Sequence, residues 1–139
     1  MGASEATITG GCHCGAIRYA VTAAAVRRHS LCHCADCRRC AGAVSVGWVS
    51  VRADGLTVTG NPASYNSSGD VDRSFCPRCG TGLFYRSESL FPGEVDVQSG
   101  TFDDPDAVAP AARIQLADAP RWLATAHLLP GYARFDDES

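Results

Sequence analysis

Apolar and polar positions alternate in short runs along this chain. Ile17-Arg18-Tyr19-Ala20-Val21, Val95-Asp96-Val97 and Ile114-Gln115-Leu116 place apolar side chains at every second position. That period predicts half-buried strands of an antiparallel sheet. A longer run changes phase: Val44, Val46 and Trp48 share one phase, Val49 and Val51 the other. The switch predicts a bulge or a strand covered on both faces. Leu83-Phe84-Tyr85 reads as a short, fully buried strand. Breakers recur at Gly10-Gly11, Gly55, Gly60-Asn61-Pro62, Gly69-Asp70 and Pro92-Gly93. Short strands at this spacing predict a mainly β fold of antiparallel sheets with little helix. Helix is expected in two places. One is Ala35 to Cys40. The other starts at Asp104-Pro105, where Asp can cap and Pro suits the first helical position. No internal repeat, low-complexity tract or linker interrupts the chain. The acidic tail from Arg134 to Ser139 is expected to fray.

Composition narrows the class. The 139 residues are 45% apolar and 19% charged, with a net charge of −3. This balance excludes a disordered chain and predicts one domain over residues 1–139, with its core at about 5–130. The acidic balance argues against a bulk nucleic-acid binder. No apolar run reaches the ~18 residues of a membrane span. Met1 to Gly10 has neither the basic nor the apolar stretch of a secretory leader, so a cytoplasmic protein is expected. All twelve basic residues are Arg, which excludes a Lys Schiff base and a Walker-type phosphate loop.

The cysteines carry the chemistry. Eight fall as Cys12-x-Cys14, Cys32-x-Cys34-x-x-Cys37-x-x-Cys40 and Cys76-x-x-Cys79. Pairs one or two residues apart gain little from crosslinking to each other but converge well on one ion. In a chain without a leader this spacing points to metal sites. Cys76-Pro77-Arg78-Cys79-Gly80 has the form of a zinc knuckle, with Gly80 free to take the positive φ that returns the backbone over the metal. A structural zinc needs four ligands. The Cys12/Cys14 pair is the best source of the other two, the middle cluster the alternative. Cys32, Cys34 and Cys37 offer three thiolates, which leaves one tetrahedral position open, as in catalytic zinc sites. Cys40 is either a fourth ligand that closes this site or a buried small apolar residue. His13 and His33 each occupy the middle of a C-x-C, where an extended chain turns the side chain away from its neighbours; His33 retains a possible proton-carrying role. Asp36 is expected to be solvated or to hydrogen-bond near the triad. Trp48 and Trp122 are expected in the core. Arg27, Arg28, Arg38 and Arg39 flank the triad. They bind carboxylates of a ligand, with Arg38 and Arg39 foremost, offset the thiolate charge, or simply lie solvated.

Gly11-Cys12-His13-Cys14-Gly15, Cys32-His33-Cys34-Ala35-Asp36-Cys37-Arg38 and Phe75-Cys76-Pro77-Arg78-Cys79-Gly80-Thr81 together resemble the glutathione-dependent formaldehyde-activating enzyme family, which includes centromere protein V. The likeness continues through Ser99-Gly100-Thr101-Phe102-Asp103-Asp104-Pro105 to Pro120-Arg121-Trp122, covering about Gly10 to Leu129. Arg113 stands where the family often has His. The resemblance implies a β-tent fold pinned by two zinc ions. Cys12, Cys14, Cys76 and Cys79 would bind the structural ion. Cys32, Cys34 and Cys37 would bind the catalytic one. It implies reversible addition of glutathione to formaldehyde, a carbon–sulfur lyase reaction in reverse. Glutathione carries two carboxylates, so Arg38 and Arg39, which follow the triad directly, are the expected cationic partners. The other readings are a lyase of the same fold acting on a different thiol adduct, a zinc-stabilised binding module without catalysis, and a redox protein cycling a C-x-x-C disulfide.

Overall fold

The computed structural model describes residues 6–135. Ten strands and one α-helix occur among them. They are β1 (Thr7–Gly11), β2 (Arg18–Thr22), β3 (Val26–Cys32), α1 (Ala35–Ala41), β4 (Val46–Arg52), β5 (Leu56–Thr59), β6 (Ala63–Ser68), β7 (Val71–Phe75), β8 (Gly82–Arg86), β9 (Glu94–Gln98) and β10 (Ala112–Ile114). The protein is mainly β. One sheet has the order β1-β2-β5, the other β10-β3-β4-β9-β8-β7-β6. All pairs are antiparallel except β10 on β3.

Side-chain alternation explains how the sheets associate. Ile17, Tyr19 and Val21 of the β2 region, Val49 and Val51 of β4, Leu83 and Phe84 of β8, and Val95 and Val97 of β9 form one buried cluster. Tyr19 crosses it edge-on to Phe84, at 5.6 Å and 71°. Its hydroxyl shares a 2.6 Å hydrogen bond with Thr101 Oγ1. Burial pushes its phenol up to about 12, so it stays protonated. Gly10 pairs with Tyr19 across β1 and β2. A Cβ at Gly10 would lie 2.3 Å from the Tyr19 hydroxyl and 2.5 Å from the Thr101 carbonyl oxygen, so the close approach requires glycine. Arg18 and Thr9 both bind the Asp103 carboxylate. The Arg18 guanidinium and the Thr9 hydroxyl hold that carboxyl down at about 2, so the bridge is fully charged at neutral pH.

Leu83 is fully buried at the centre of this cluster. Leu83→Ala is expected to cost about 2–5 kcal/mol, from lost transfer energy and the cavity left behind. A drop in Tm of roughly 6–15 °C with metal content unchanged, read by calorimetry, is the expected result.

β4 is covered on both faces, as one of the two phase-switch readings required. Val49 and Val51 enter the main cluster, while Val46 and Trp48 enter a second one with Cys32 and Cys37. The register shift lies on the neighbouring strand, between Val26 and Arg28.

Three expectations are corrected. No helix follows Asp104-Pro105. That segment is a turn, closed by the Ala107 amide on the Asp104 carbonyl and the Asp106 amide on Asp104 Oδ1. Pro110 lies too close for a helix to propagate past its nucleus. The strand predicted at Ile114-Gln115-Leu116 stops at Ile114, because Gln115 takes a left-handed φ of 58°; Ile114 and Leu116 are exposed. Trp122 is 57% exposed rather than in the core. It sits on a 3-10 segment, Arg121–Leu128, which the alternation did not reveal. The expected fraying of the tail concerns residues that, from 136 onward, lie outside the described ones, as do residues 1–5. No helix among the described residues is long and apolar enough to cross a membrane.

Candidate metal centres

Four sulfurs meet where two turns face each other at one edge of the main cluster. Cys12 and Cys14 come from the β1–β2 turn, Cys76 and Cys79 from the β7–β8 turn. Their Sγ atoms all lie within 4.8 Å of one another. Cys12 to Cys14 is 3.6 Å and Cys14 to Cys76 is 3.8 Å. The knuckle closes because Gly80 adopts φ 85° and donates its amide to the Cys76 carbonyl at 2.8 Å. Amides also donate to sulfur: Ile17 to Cys12 at 3.3 Å, and Arg78 and Cys79 to Cys76 at 3.4 and 3.5 Å. Burial acts upward on the Cys12 thiol, but the Ile17 amide and the neighbouring Cys14 and Cys76 sulfurs bring it below its ordinary value.

Thr81 joins the two turns, a role no sequence signal had marked. Its hydroxyl accepts the His13 amide at 3.1 Å and lies 3.2 Å from Cys79 Sγ. The Thr81 hydroxyl and amide draw the Cys79 thiol down to about 5. At Cys14 the Ala16 amide pulls downward, but burial and the neighbouring sulfurs outweigh it and leave the thiol at about 11. Cys14 and Cys79 thus hold their protons unequally, and a soft dication would relieve the crowding of the four sulfurs.

The second cluster is built on a helix start. Cys32 ends β3, Cys34 is the N-cap of α1, and Cys37 lies in its first turn. The Cys37 amide donates to Cys34 Sγ at 3.2 Å, so a sulfur fills the capping role usual for Ser or Asp. Gly42, at φ 66°, ends the helix. The three Sγ atoms lie within 4.8 Å of one another. Burial pushes the Cys32 thiol up to about 12. Burial also acts upward on Cys34, but the Cys37 amide and the neighbouring sulfurs bring it below its ordinary value.

The other residues singled out in the sequence separate. Cys40 is exposed and outside the sulfur cluster, which corrects both expectations for it, a fourth ligand and a buried apolar residue. His33 is buried, with Nδ1 3.2 Å from the Ile114 carbonyl oxygen, while His13 is exposed; neither joins a sulfur group. Asp36 is exposed at the rim of the triad's cavity. Arg27 is exposed. Arg28 pairs with Glu94 at 3.0 Å and stacks over Phe91 at 5.5 Å. Arg38 lines a separate groove with Trp122, and Arg39 is exposed.

Arg73, which the sequence reading passed over, faces the triad. Both its terminal nitrogens lie 3.7 Å from Cys37 Sγ. Ser67 Oγ holds its Nε at 3.0 Å, and its guanidinium stacks over Tyr85 at 5.1 Å. Burial raises the Cys37 thiol, with Arg73 pulling against it.

The triad opens on a cavity of about 190 Å³, walled by Trp48, Tyr85 and Phe91 and reaching Asp96. A larger groove of about 480 Å³ shares Trp48 and Arg73 with it and extends to Tyr65, Phe75, Phe84 and Gln98. The strand register explains the grouping. Arg28, Ser50, Asp96, Tyr85, Arg73 and Tyr65 are successive cross-strand partners on β3, β4, β9, β8, β7 and β6. They form one lateral row beside the sulfurs.

Fold and sites therefore define a mainly β protein with two cysteine clusters, of four and three, each able to hold a metal ion. Residues 7–118 match the sequence profile described as "Glutathione-dependent formaldehyde-activating enzyme", and the chain belongs to that family. A Halomonas elongata protein named "Putative glutathione-dependent formaldehyde-activating enzyme" is 29% identical over 126 residues, covering 84% of this chain and 79% of that protein. The crystal structure of a Rhodobacter sphaeroides protein superposes with a TM-score of 0.56 at 24% identity. It covers 76% of this chain and 98% of its own, and it supports the fold.

Proposed function

We propose that this chain is a zinc-dependent carbon–sulfur lyase which, in the forward direction, joins a thiol such as glutathione to formaldehyde at Cys32, Cys34 and Cys37. The observation that carries this reading is the three-sulfur cluster opening on a cavity, in a chain whose other cluster has the four sulfurs of a complete tetrahedral set. The donor sets fit zinc: thiolates are soft, four close a tetrahedron, and three leave one position for substrate. Zinc bound by the triad would lower the pKa of a substrate thiol.

The protein's own residues supply the rest. About 190 Å³ admits a thiol head and a one-carbon aldehyde together, so the remainder of the thiol lies in the adjoining groove. Arg73 stands where the two spaces meet, placed to balance sulfur charge or bind a carboxylate. Arg38 and Arg39 are assigned only outer contacts with the substrate carboxylates. The aromatic lining of the groove favours, as a second reading, a thiol adduct with a more apolar body than glutathione.

Exchange NMR on glutathione and formaldehyde tests the proposal. Their adduct forms unaided, so the readout is acceleration. The four-thiolate site should load first, because it offers one more thiolate. Acceleration is expected only with the second equivalent of zinc. Two bound zinc ions without acceleration would overturn the glutathione–formaldehyde assignment and favour the second reading.

A further inference from the structure

The geometry points to Asp96 as the catalytic acid–base of the triad's cavity, taking the substrate thiol's proton on Oδ2 and returning it to the aldehyde oxygen. This rests on the function proposed above and assigns a residue to its proton step.

Three observations carry it. Asp96 lines the same small cavity as Cys32, Cys34 and Cys37. Its neighbours Val95 and Val97 point into the main core, so strand alternation turns Asp96 to the cavity face. Its two oxygens are differently committed. Oδ1 accepts the Ser50 hydroxyl. Oδ2 has no hydrogen-bond partner among the described residues, where no buried side-chain oxygen or nitrogen lacks one. Oδ2 is therefore accessible, on a residue that lines the cavity. A half-buried carboxylate, held by one oxygen and open at the other, is built to exchange a proton.

The surroundings suit the task. Burial holds the Asp96 carboxyl above its ordinary range, against the pull of the Ser50 hydroxyl and the Arg28 charge, with Glu94 reinforcing the rise. Tyr85 lies beside it in register on β8, and Arg73 beyond that on β7. Burial keeps the Tyr85 phenol protonated. Asp36, the other carboxylate at the cavity, is exposed on the first turn of α1.

The step balances without an outside reagent. The thiol S–H bond breaks and its proton moves to Asp96 Oδ2. The sulfur lone pair forms the bond to the aldehyde carbon, and the C=O π pair moves onto oxygen. Oxygen then takes the proton from Asp96, which leaves a hydroxymethyl thioether and a regenerated carboxylate. The reverse sequence cleaves the adduct.

The test compares wild type, Asp96→Asn and Asp36→Asn, each loaded with zinc, with glutathione and formaldehyde as probes. Calorimetry of glutathione alone, in buffers of different ionisation enthalpy at pH 7.5, counts protons released on binding. Wild type should release about none and Asp96→Asn about one per thiol, since the free thiol is mostly protonated there. Asp96→Asn should lower kcat for adduct exchange by roughly 10²-fold or more, with KM little changed. A merely structural Asp96 would not move the proton count. Equal counts in wild type and Asp96→Asn, or a rate loss confined to Asp36→Asn, overturns the assignment. No acceleration by wild type, with the expected difference in counts, overturns the formaldehyde reaction and leaves Asp96 as the thiol's proton acceptor. No glutathione binding overturns both.

Discussion

Cys76→Ser should cost the protein its native fold. Cys76 is fully buried, belongs to the main cluster, and accepts the Arg78 and Cys79 amides. Its sulfur sits among three others from a turn more than sixty residues away and from its own knuckle. A serine hydroxyl does not ionise at neutral pH, so the soft four-thiolate set is broken. Structural zinc in small domains binds with apparent free energies of about 10–16 kcal/mol. A whole domain is stable by only about 5–15 kcal/mol. Losing even part of the first exceeds much of the second. Metal analysis with thermal unfolding by circular dichroism should show the four-cysteine metal gone. The Tm should fall by roughly 20 °C or more, or the cooperative transition should vanish. A near-native Tm without that metal would show that packing alone holds the two sheets.

Cys37→Ser should do the opposite, ending activity while sparing the fold. Cys37 is buried but belongs to the smaller cluster with Cys32, Val46 and Trp48. Serine there removes one of three sulfurs and leaves Arg73 facing a neutral hydroxyl. The buried hydroxyl and altered packing cost about 1–3 kcal/mol, a drop of several degrees in Tm. The four-cysteine metal should remain. Acceleration of glutathione–formaldehyde exchange should disappear, leaving the uncatalysed rate. Metal stoichiometry, Tm and exchange rate measured on one sample would separate the two sites. A Cys37→Ser chain that keeps two metals and the acceleration would move the chemistry away from the triad.

Part of the molecule was legible because the signals are local. The alternation at Ile17–Val21 and Val95–Val97 matches β2 and β9 with their buried phases. The phase switch through Trp48 and Val49 marks a strand between two clusters. The Gly80 turn takes its positive φ. The short spacings gather Cys32 with Cys34 and Cys37, and bring Cys76 near Cys79, within one turn of chain each. The failures have equally physical causes. Asp104-Pro105 is a good helix start, but Pro110 leaves no length for a helix. Gln115 interrupts an apolar alternation by its backbone conformation, which alternation does not encode. Trp122 looked like core by size alone, yet it lies on a short 3-10 segment against the surface.

What the sequence determined by itself is the class of fold, the cysteine pairs and the family, since these rest on period, spacing within a turn, and motif. What only the tertiary structure decided is which elements meet. It joined the Cys12 turn to the Cys76 turn through Thr81, left Cys40 outside the triad, and set Arg73 against Cys37. It also aligned Arg28, Ser50, Asp96, Tyr85 and Arg73 in one row across five strands. A period of two tells which face of a sheet a side chain takes. Its neighbours on that face depend on strand order and register, which are set by long-range pairing and burial of the whole sheet.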